Sequence, residues 1–236
     1  MSAPVRVLIH GASGRMGQTL LRLAAARDDL IIVAAVARAS TDDALLGQPI
    51  HPMDQVDSAP DFDVAIDFTL PAGFDVILAA CVARRAAFVS GTTGLAPQQR
   101  AMLQSASARI PVLWAANFSL GVAVLEDLVE RAAAALQTWD CDIVESHHSR
   151  KLDAPSGTAL ALGAAAQRGG ADPRYASLRA GDIIGEHLVQ FAGAGERIEL
   201  IHRAANRDIF ALGALHAAAR IAGCAPAQYR LRDLLM

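Results

Sequence analysis

Val5-Arg6-Val7-Leu8-Ile9-His10-Gly11-Ala12-Ser13-Gly14-Arg15-Met16-Gly17 decides the fold of this chain. Val5 to Ile9 is an apolar run broken only by Arg6, and it enters a turn punctuated by glycine. A helical pattern follows at once, with Leu20, Leu21, Leu23 and Ala24 on one side. Strand, glycine turn and helix together form the setting of a dinucleotide site. The glycines permit a tight turn and close approach of the backbone to a pyrophosphate, which then rests on the helix N-terminus. The spacing is G-x-x-G-x-x-G rather than G-x-G-x-x-G, and a plain tight turn produces glycines too, so the reading rests on the β-α-β context. Gly11, Ala12, Ser13, Gly14, Arg15 and Met16 are the candidate phosphate-binding residues.

Further strand ends repeat the pattern. Leu30 to Val36 ends at Ala37-Arg38, where an NAD-preferring site usually carries an acid for the ribose 2′-hydroxyl. Arg38, assisted by Arg15, instead suits a 2′-phosphate through its planar fork; the alternative is a solvated strand-end residue. NADPH is therefore the expected cofactor, with NADH possible. Asp63 to Thr69 is a strand end followed by Leu70-Pro71-Ala72-Gly73. Ala87 to Ser90 opens into Gly91-Thr92-Thr93-Gly94, with a helix after Pro97, and Ile110 to Trp114 leads to Ala115-Ala116-Asn117-Phe118. Ligands of open parallel sheets bind beyond the carboxyl ends of the strands. This places Gly91, Thr92, Thr93 and Asn117 near the nicotinamide, although glycine, threonine and asparagine are also ordinary turn residues.

The 236 residues suffice for one large or two small domains, and 53% hydrophobic with 19% charged residues fits a packed globular protein. No apolar run approaches the roughly 20 residues that span a bilayer, and no secretory signal is visible. A net charge of -3 argues against a general nucleic-acid binder. Cys81, Cys141 and Cys224 lack C-x-x-C spacing and read as buried, reduced thiols of a cytoplasmic protein.

Of 21 basic side chains, Lys151 is the one lysine. One reading is a codon bias from which a single lysine survived by accident; the other is chemistry, because an ammonium is a tunable donor that can release a proton. Lys151 lies within Glu145-Ser146-His147-His148-Ser149-Arg150-Lys151-Leu152-Asp153-Ala154-Pro155-Ser156-Gly157-Thr158. Asp142 to Glu145 reads as a strand that delivers His147 and His148 to a loop, and Ser156-Gly157-Thr158 opens an alanine-rich helix. Helix starts bind anions, so a small carboxylate substrate is expected; Ser156 and Asp153 also suit helix capping. Neighbouring histidines on a strand point to opposite faces and no H-E-x-x-H spacing exists, so no metal site is expected. A hydrolase elbow, G-x-S-x-G, is absent. Before it, Gly121 to Leu136 is an amphipathic helix with Val122, Leu125, Leu128, Val129 and Ala132 on its apolar face.

These stretches resemble the 4-hydroxy-tetrahydrodipicolinate reductase (dihydrodipicolinate reductase) family. The resemblance runs from Gly11 to Gly17 through Ile66-Asp67-Phe68-Thr69, Gly91 to Gly94, Ala115 to Phe118, Glu145 to Thr158 and Arg179 to His187. It implies an α/β chain: a Rossmann-type dinucleotide domain (1–117 and 206–236) and an α+β substrate domain (118–205) with a mainly antiparallel or mixed sheet. It implies NAD(P)H-dependent reduction in lysine and diaminopimelate biosynthesis, by a homotetramer acting on a small dicarboxylate. His147 would be the general acid and Lys151 a donor of a proton or charge. His148, Lys151, Ser156, Gly157 and Thr158 would hold the substrate carboxylates, and Gly91 to Thr93 with Ala115, Ala116, Asn117 and Phe118 the nicotinamide. Two features depart from the family: Ala37 replaces an acid, and Gln167 to Tyr175 is short where relatives carry an extra strand. A different imine reductase on the same scaffold and a non-catalytic dinucleotide sensor are the rivals; the His-His-x-x-Lys run opposes both.

Overall fold

The computed structural model describes residues 3–38, 44–45 and 47–235. The first apolar runs form strands β1 (Val5–His10), β2 (Leu30–Ala37), β3 (Ala44–Leu45), β4 (Gln48–Pro52), β5 (Val64–Asp67), β6 (Ala87–Ser90) and β7 (Pro111–Trp114). Between them lie helices α1 (Arg15–Ala24), α2 (Pro71–Arg84) and α3 (Pro97–Ala106). Then follow α4 (Leu120–Ala135), β8 (Asp140–His147), α5 (Gly157–Arg168), β9 (Pro173–Arg179), β10 (Glu186–Gly193) and β11 (Glu196–Arg203). Helix α6 (Asp208–Ile221) and β12 (Ala227–Tyr229) complete the series. Two compact units result, Met1–Phe118 with Phe210–Met236, and Ser119–Ile209. Their boundaries fall one and four residues beyond those expected.

The first unit holds a sheet of order β12-β7-β6-β5-β1-β2-β4-β3, parallel except where β3 meets β4. Central strands covered on both faces read as continuous apolar runs rather than alternating ones, and β5 and β6 are buried along their whole length. Proline opens both α2 and α3, where its missing N–H is harmless. Phe74 of α2 meets Phe88 of β6 edge to face, centroids 5.5 Å apart. Burying such a side chain is worth about 1.5–3 kcal/mol. The chain leaves β1 towards β2 on one side and returns through β5, β6 and β7 on the other, so the strand order reverses at β1, where ligands bind in open sheets.

The turn after β1 depends on glycine. Gly11 has φ +84°, and its N–H and that of Ala12 both donate to the Val36 carbonyl at 2.9 Å. Gly17 brings α1 against this turn: a Cβ there would stand 2.3 Å from the Gly11 oxygen and 2.5 Å from the Ala12 Cα. Both obstacles are backbone and cannot rotate away. Gly17→Ala is therefore expected to cost about 1–3 kcal/mol through overpacking, read as a lower denaturant midpoint at unchanged slope.

The second unit has a four-stranded mixed sheet of order β11-β10-β8-β9, antiparallel except for β8 with β9. Helices α4 and α5 cover one face, with Leu125, Val129, Ile143, Leu162, Val189 and Phe191 between the layers. On the outward face Ala176, Val144, Leu188 and Ile201 stand in register. Three expectations are corrected. Strand β9 starts within the shortened segment and supplies a sheet edge parallel to β8. Its pattern is weak because every residue from Arg174 to Leu178 is exposed, and its proline sits at the first position, where an edge strand tolerates it. Leu128 lies on the exposed side of α4. Strand β8 runs two residues further at each end, so His147 closes the strand and only His148 enters the loop.

Candidate active site

Parallel register aligns the last residues of four neighbouring strands. His10 pairs with Asp67, Asp67 with Ser90, and Ser90 with Trp114. His10, Asp67 and Ser90 are wholly buried, forming a polar row at the carboxyl edge of an apolar sheet. A buried carboxylate is costly unless donors surround it, and Asp67 is surrounded. His10 Nδ1 (2.9 Å), Thr69 Oγ1 (2.7 Å) and Thr69 N (3.2 Å) donate to one oxygen. Ser90 Oγ (2.9 Å) and Thr92 Oγ1 (2.8 Å) donate to the other. Burial pushes the Asp67 pKa up, yet the bonds from His10, Thr69 and Thr92 outweigh it and hold the carboxyl below its ordinary value.

This row braces the turn after β6. The Thr92 N–H donates to Ser90 Oγ and its carbonyl accepts from Trp114 Nε1 at 2.8 Å. Every polar group of Thr92 thus has an internal partner, and its side chain is buried. Thr92 shapes the turn, while Gly91 and Thr93 stand more open. Phe118 is likewise buried, against Phe68 with centroids 5.4 Å apart, and Ala12 is buried in the glycine turn. A cavity of about 280 Å³ is lined by Gly11, Ser13, Gly14, Arg38, Met53, Phe68, Thr69, Leu70, Ala72 and Gly73. The glycine turn and Arg38 therefore share one cavity, at the helix start that favours phosphate. Arg15, Met16, Gly91, Thr93, Ala115, Ala116 and Asn117 do not line it; they follow the same row of strand ends. A dinucleotide fits this set: a basic residue at the β2 end, a glycine-rich helix start and a preset turn after β6.

The second unit builds a different cluster. Ser177, Glu145, His187 and His202 lie in register across β9, β8, β10 and β11. The Glu145 carboxylate is wholly buried. It accepts from His147 Nδ1 (2.5 Å), Arg179 Nη1 (2.9 Å), Arg179 Nη2 (2.7 Å) and Ser156 N (3.2 Å). Burial pushes Glu145 up, but the bonds from Arg179, Ser177 and His147 offset this and hold it at about 2. It is charged at every working pH and can only accept, so His147 carries its proton on Nδ1. Burial lowers the His147 pKa; Glu145 opposes this, and Lys151 and Arg179 add to it. Lys151 Nζ donates to both oxygens of Asp153 at 2.8 Å.

Two serines cap helices beside this row. Ser156 Oγ accepts from Ala159 N at the start of α5 and meets His187 Nε2 at 3.3 Å. Ser119 Oγ accepts from Val122 N at the start of α4 and meets His202 Nε2 at 3.2 Å. Burial, then the neighbouring His147 and His202, lower His187 to about 4. Ser156 is thus a buried cap, whereas Gly157 is exposed, with nothing within 4 Å of where its Cβ would stand. His148 is half-buried and its Nδ1 is buried without a partner. Glu145 thus ties His147 to the start of α5, where Gly157 and Thr158 lie; Lys151 stands close enough to act on the His147 charge, and its N–H donates to the His148 carbonyl. Glu145, Arg179, His187 and His202 complete the cluster without having been expected as site residues. The alternation of β8, which turns Glu145 inward with Ile143 and His147, is the signal that marks the first of them.

A glycine-turn cavity on one parallel sheet, with a buried acid–base cluster at a helix start in a second unit, defines the class of two-unit dinucleotide-dependent reductases. A family model described as "Dihydrodipicolinate reductase, N-terminus" matches residues 5–118, and "Dihydrodipicolinate reductase, C-terminus" matches 121–235. The chain belongs to the dihydrodipicolinate reductase family. It is 66% identical over 234 residues, 98% of each chain, to a protein of Stenotrophomonas maltophilia (strain K279a) named 4-hydroxy-tetrahydrodipicolinate reductase. A protein of the same name from Xylella fastidiosa (strain 9a5c) is 57% identical over the full length of both. Among solved structures, the dipicolinate-bound dihydrodipicolinate reductase of Paenisporosarcina sp. TG-14 has the same fold. Its TM-score is 0.80 at 22% identity, covering 98% of this chain and 99% of that one.

Proposed function

We propose that this chain reduces 4-hydroxy-tetrahydrodipicolinate to tetrahydrodipicolinate, with NADPH preferred over NADH, in lysine and diaminopimelate biosynthesis. The observation that carries the reading is the link that the buried Glu145 makes between His147 and the open start of α5, with Lys151 near enough to act on the His147 charge. Loss of the 4-hydroxyl as water leaves a ring carbon conjugated to the imine, and a reduced nicotinamide, held by the glycine turn and Arg38, would supply the hydride to that carbon when bound. His147 delivers the accompanying proton from Nε2, the nitrogen left after Nδ1 is committed to Glu145. Lys151 leaves Asp153 for the substrate and steadies negative charge developing at the ring nitrogen or a carboxylate. His148, Gly157 and Thr158 hold the carboxylates, with Ser156 fixing the helix start beneath them, and so orient the ring. A dianion arriving beside His147 raises its pKa, so the acid form is populated when substrate is bound.

Arg38 in the cofactor cavity, following Ala37 rather than an acid, supports the 2′-phosphate of NADPH. The outward row of Ala176, Val144, Leu188 and Ile201, joined by the exposed Leu178, supports a homotetramer built on this sheet. Among the described residues no helix is long and apolar enough to cross a membrane, and the cytoplasm is the proposed compartment.

The test is oxidation of NADPH with the product of dihydrodipicolinate synthase supplied in situ. Substrate-dependent oxidation is expected, with kcat/KM several-fold higher for NADPH than for NADH. Absence of oxidation with either cofactor would refute the activity, and a clear preference for NADH would refute the role of Arg38.

A further inference from the structure

We propose that Glu145 and Arg179 are positioning residues, holding the His147 ring with its Nδ1 proton inward and its Nε2 open at Gly185, and tying it to the first turn of α5. The proposal rests on the reading of His147 as general acid.

The geometry supplies both halves. Each oxygen of Glu145 receives one Arg179 nitrogen; one oxygen also receives His147 Nδ1 and the other the N–H of Ser156. Arg179 is anchored in turn by the Leu178 carbonyl at 2.7 Å and the Asp153 carbonyl at 2.6 Å. One buried ion pair therefore links the acid, the cap of the substrate-binding helix and the loop that carries Lys151. His187 packs edge to face on His147, centroids 5.2 Å apart, and closes the ring's other side. A methyl at Gly185 would stand 3.1 Å from His147 Nε2; the glycine leaves that nitrogen clear. A hydrogen bond to one imidazole nitrogen selects the state of the other, as partners of metal-binding histidines do.

The charged and titratable groups facing His147 act in opposite directions. Glu145 on β8 favours the imidazolium. Arg179 on β9 and Lys151 on the loop oppose it, Lys151 being paired with Asp153. His187 on β10 is neutral near pH 7 and faces His202 on β11. An acid must be protonated to act, so kcat/KM falls as pH rises through the His147 pKa. Removing the Glu145 charge moves this fall to lower pH; removing the Arg179 charge moves it to higher pH. A residue that merely supports the fold produces no such opposed shifts.

The experiment compares Glu145→Gln, Arg179→Gln and Arg179→Lys by pH profile, and by NMR titration of the His147 ring in the protein without cofactor or substrate. Glu145→Gln is expected to lower kcat about tenfold or more, with KM for cofactor unchanged, and to shift both the profile and the ring titration downward. Arg179→Gln is expected to shift both upward. Arg179→Lys keeps the charge but loses the fork, and is expected to lower kcat while leaving the titration near wild type. If the ring titration is unmoved in both glutamine variants, the proposal fails. If the ring titration shifts as expected but wild-type kcat/KM shows no fall with pH, positioning stands and the reading of His147 as acid fails. Should Glu145→Gln not fold, the upward shift in Arg179→Gln decides, and its absence overturns the proposal.

Discussion

Lys151→Arg is expected to lower kcat about 10²–10³-fold, the scale for losing one preorganised electrostatic donor. The change keeps the positive charge, and this chain uses arginine at every other one of its 21 lysine or arginine positions. It nevertheless removes what the site needs. An ammonium presents three rotatable donors at a point and can release a proton, whereas a guanidinium is planar, broad and permanently charged. Lys151 is largely buried, its side chain 21% exposed, so the wider head cannot simply move into solvent. Stability should hold, because the residue sits on a loop whose backbone is bonded independently: Lys151 N donates to the His148 carbonyl at 3.1 Å. Steady-state kinetics beside a thermal melt check this. Wild-type turnover in a folded Lys151→Arg protein would show that the lysine is incidental.

His147→Gln carries the second large effect, a loss of about 10²–10⁴ in kcat, the usual weight of general acid catalysis. Glutamine is small enough for the space and offers an amide N–H towards Glu145, so the buried carboxylate is not abandoned. Proton delivery is lost, and with it the fall of kcat/KM with rising pH. Cofactor affinity should not change, because no cofactor-edge residue depends on His147. A variant that keeps the pH dependence of the parent would assign that dependence to another group.

The doubly wound sheet was legible because local chemistry writes it: apolar runs of buried parallel strands, prolines at Pro71 and Pro97, and glycines at the turn after β1. Glu145 to Thr158 was legible as a contiguous run, which lies at the end of β8, in the loop after it and at the start of α5. What escaped were partnerships that only register creates. His10 and Asp67 are 57 residues apart and meet because β1 and β5 pair in parallel. His187 faces Glu145, and His202 faces His187, through antiparallel register across three strands. A lone histidine in a strand pattern carries no mark of its neighbour. Strand β9 escaped for the opposite reason: exposed along most of its length, it shows no alternation.

The ion pair between Lys151 and Asp153 also bears on which molecules the site admits. Asp153 is a carboxylate tethered two residues from the ammonium it occupies. Groups joined by so short a chain meet at an effective concentration on the order of millimolar or more. A free monocarboxylate must exceed that internal competitor before it engages Lys151. A dicarboxylate that also docks at the start of α5 has a second attachment to displace it with. On the substrate reading proposed for Lys151 and the start of α5, the loop would screen solutes by their number of anionic groups before any bond to hydrogen is made.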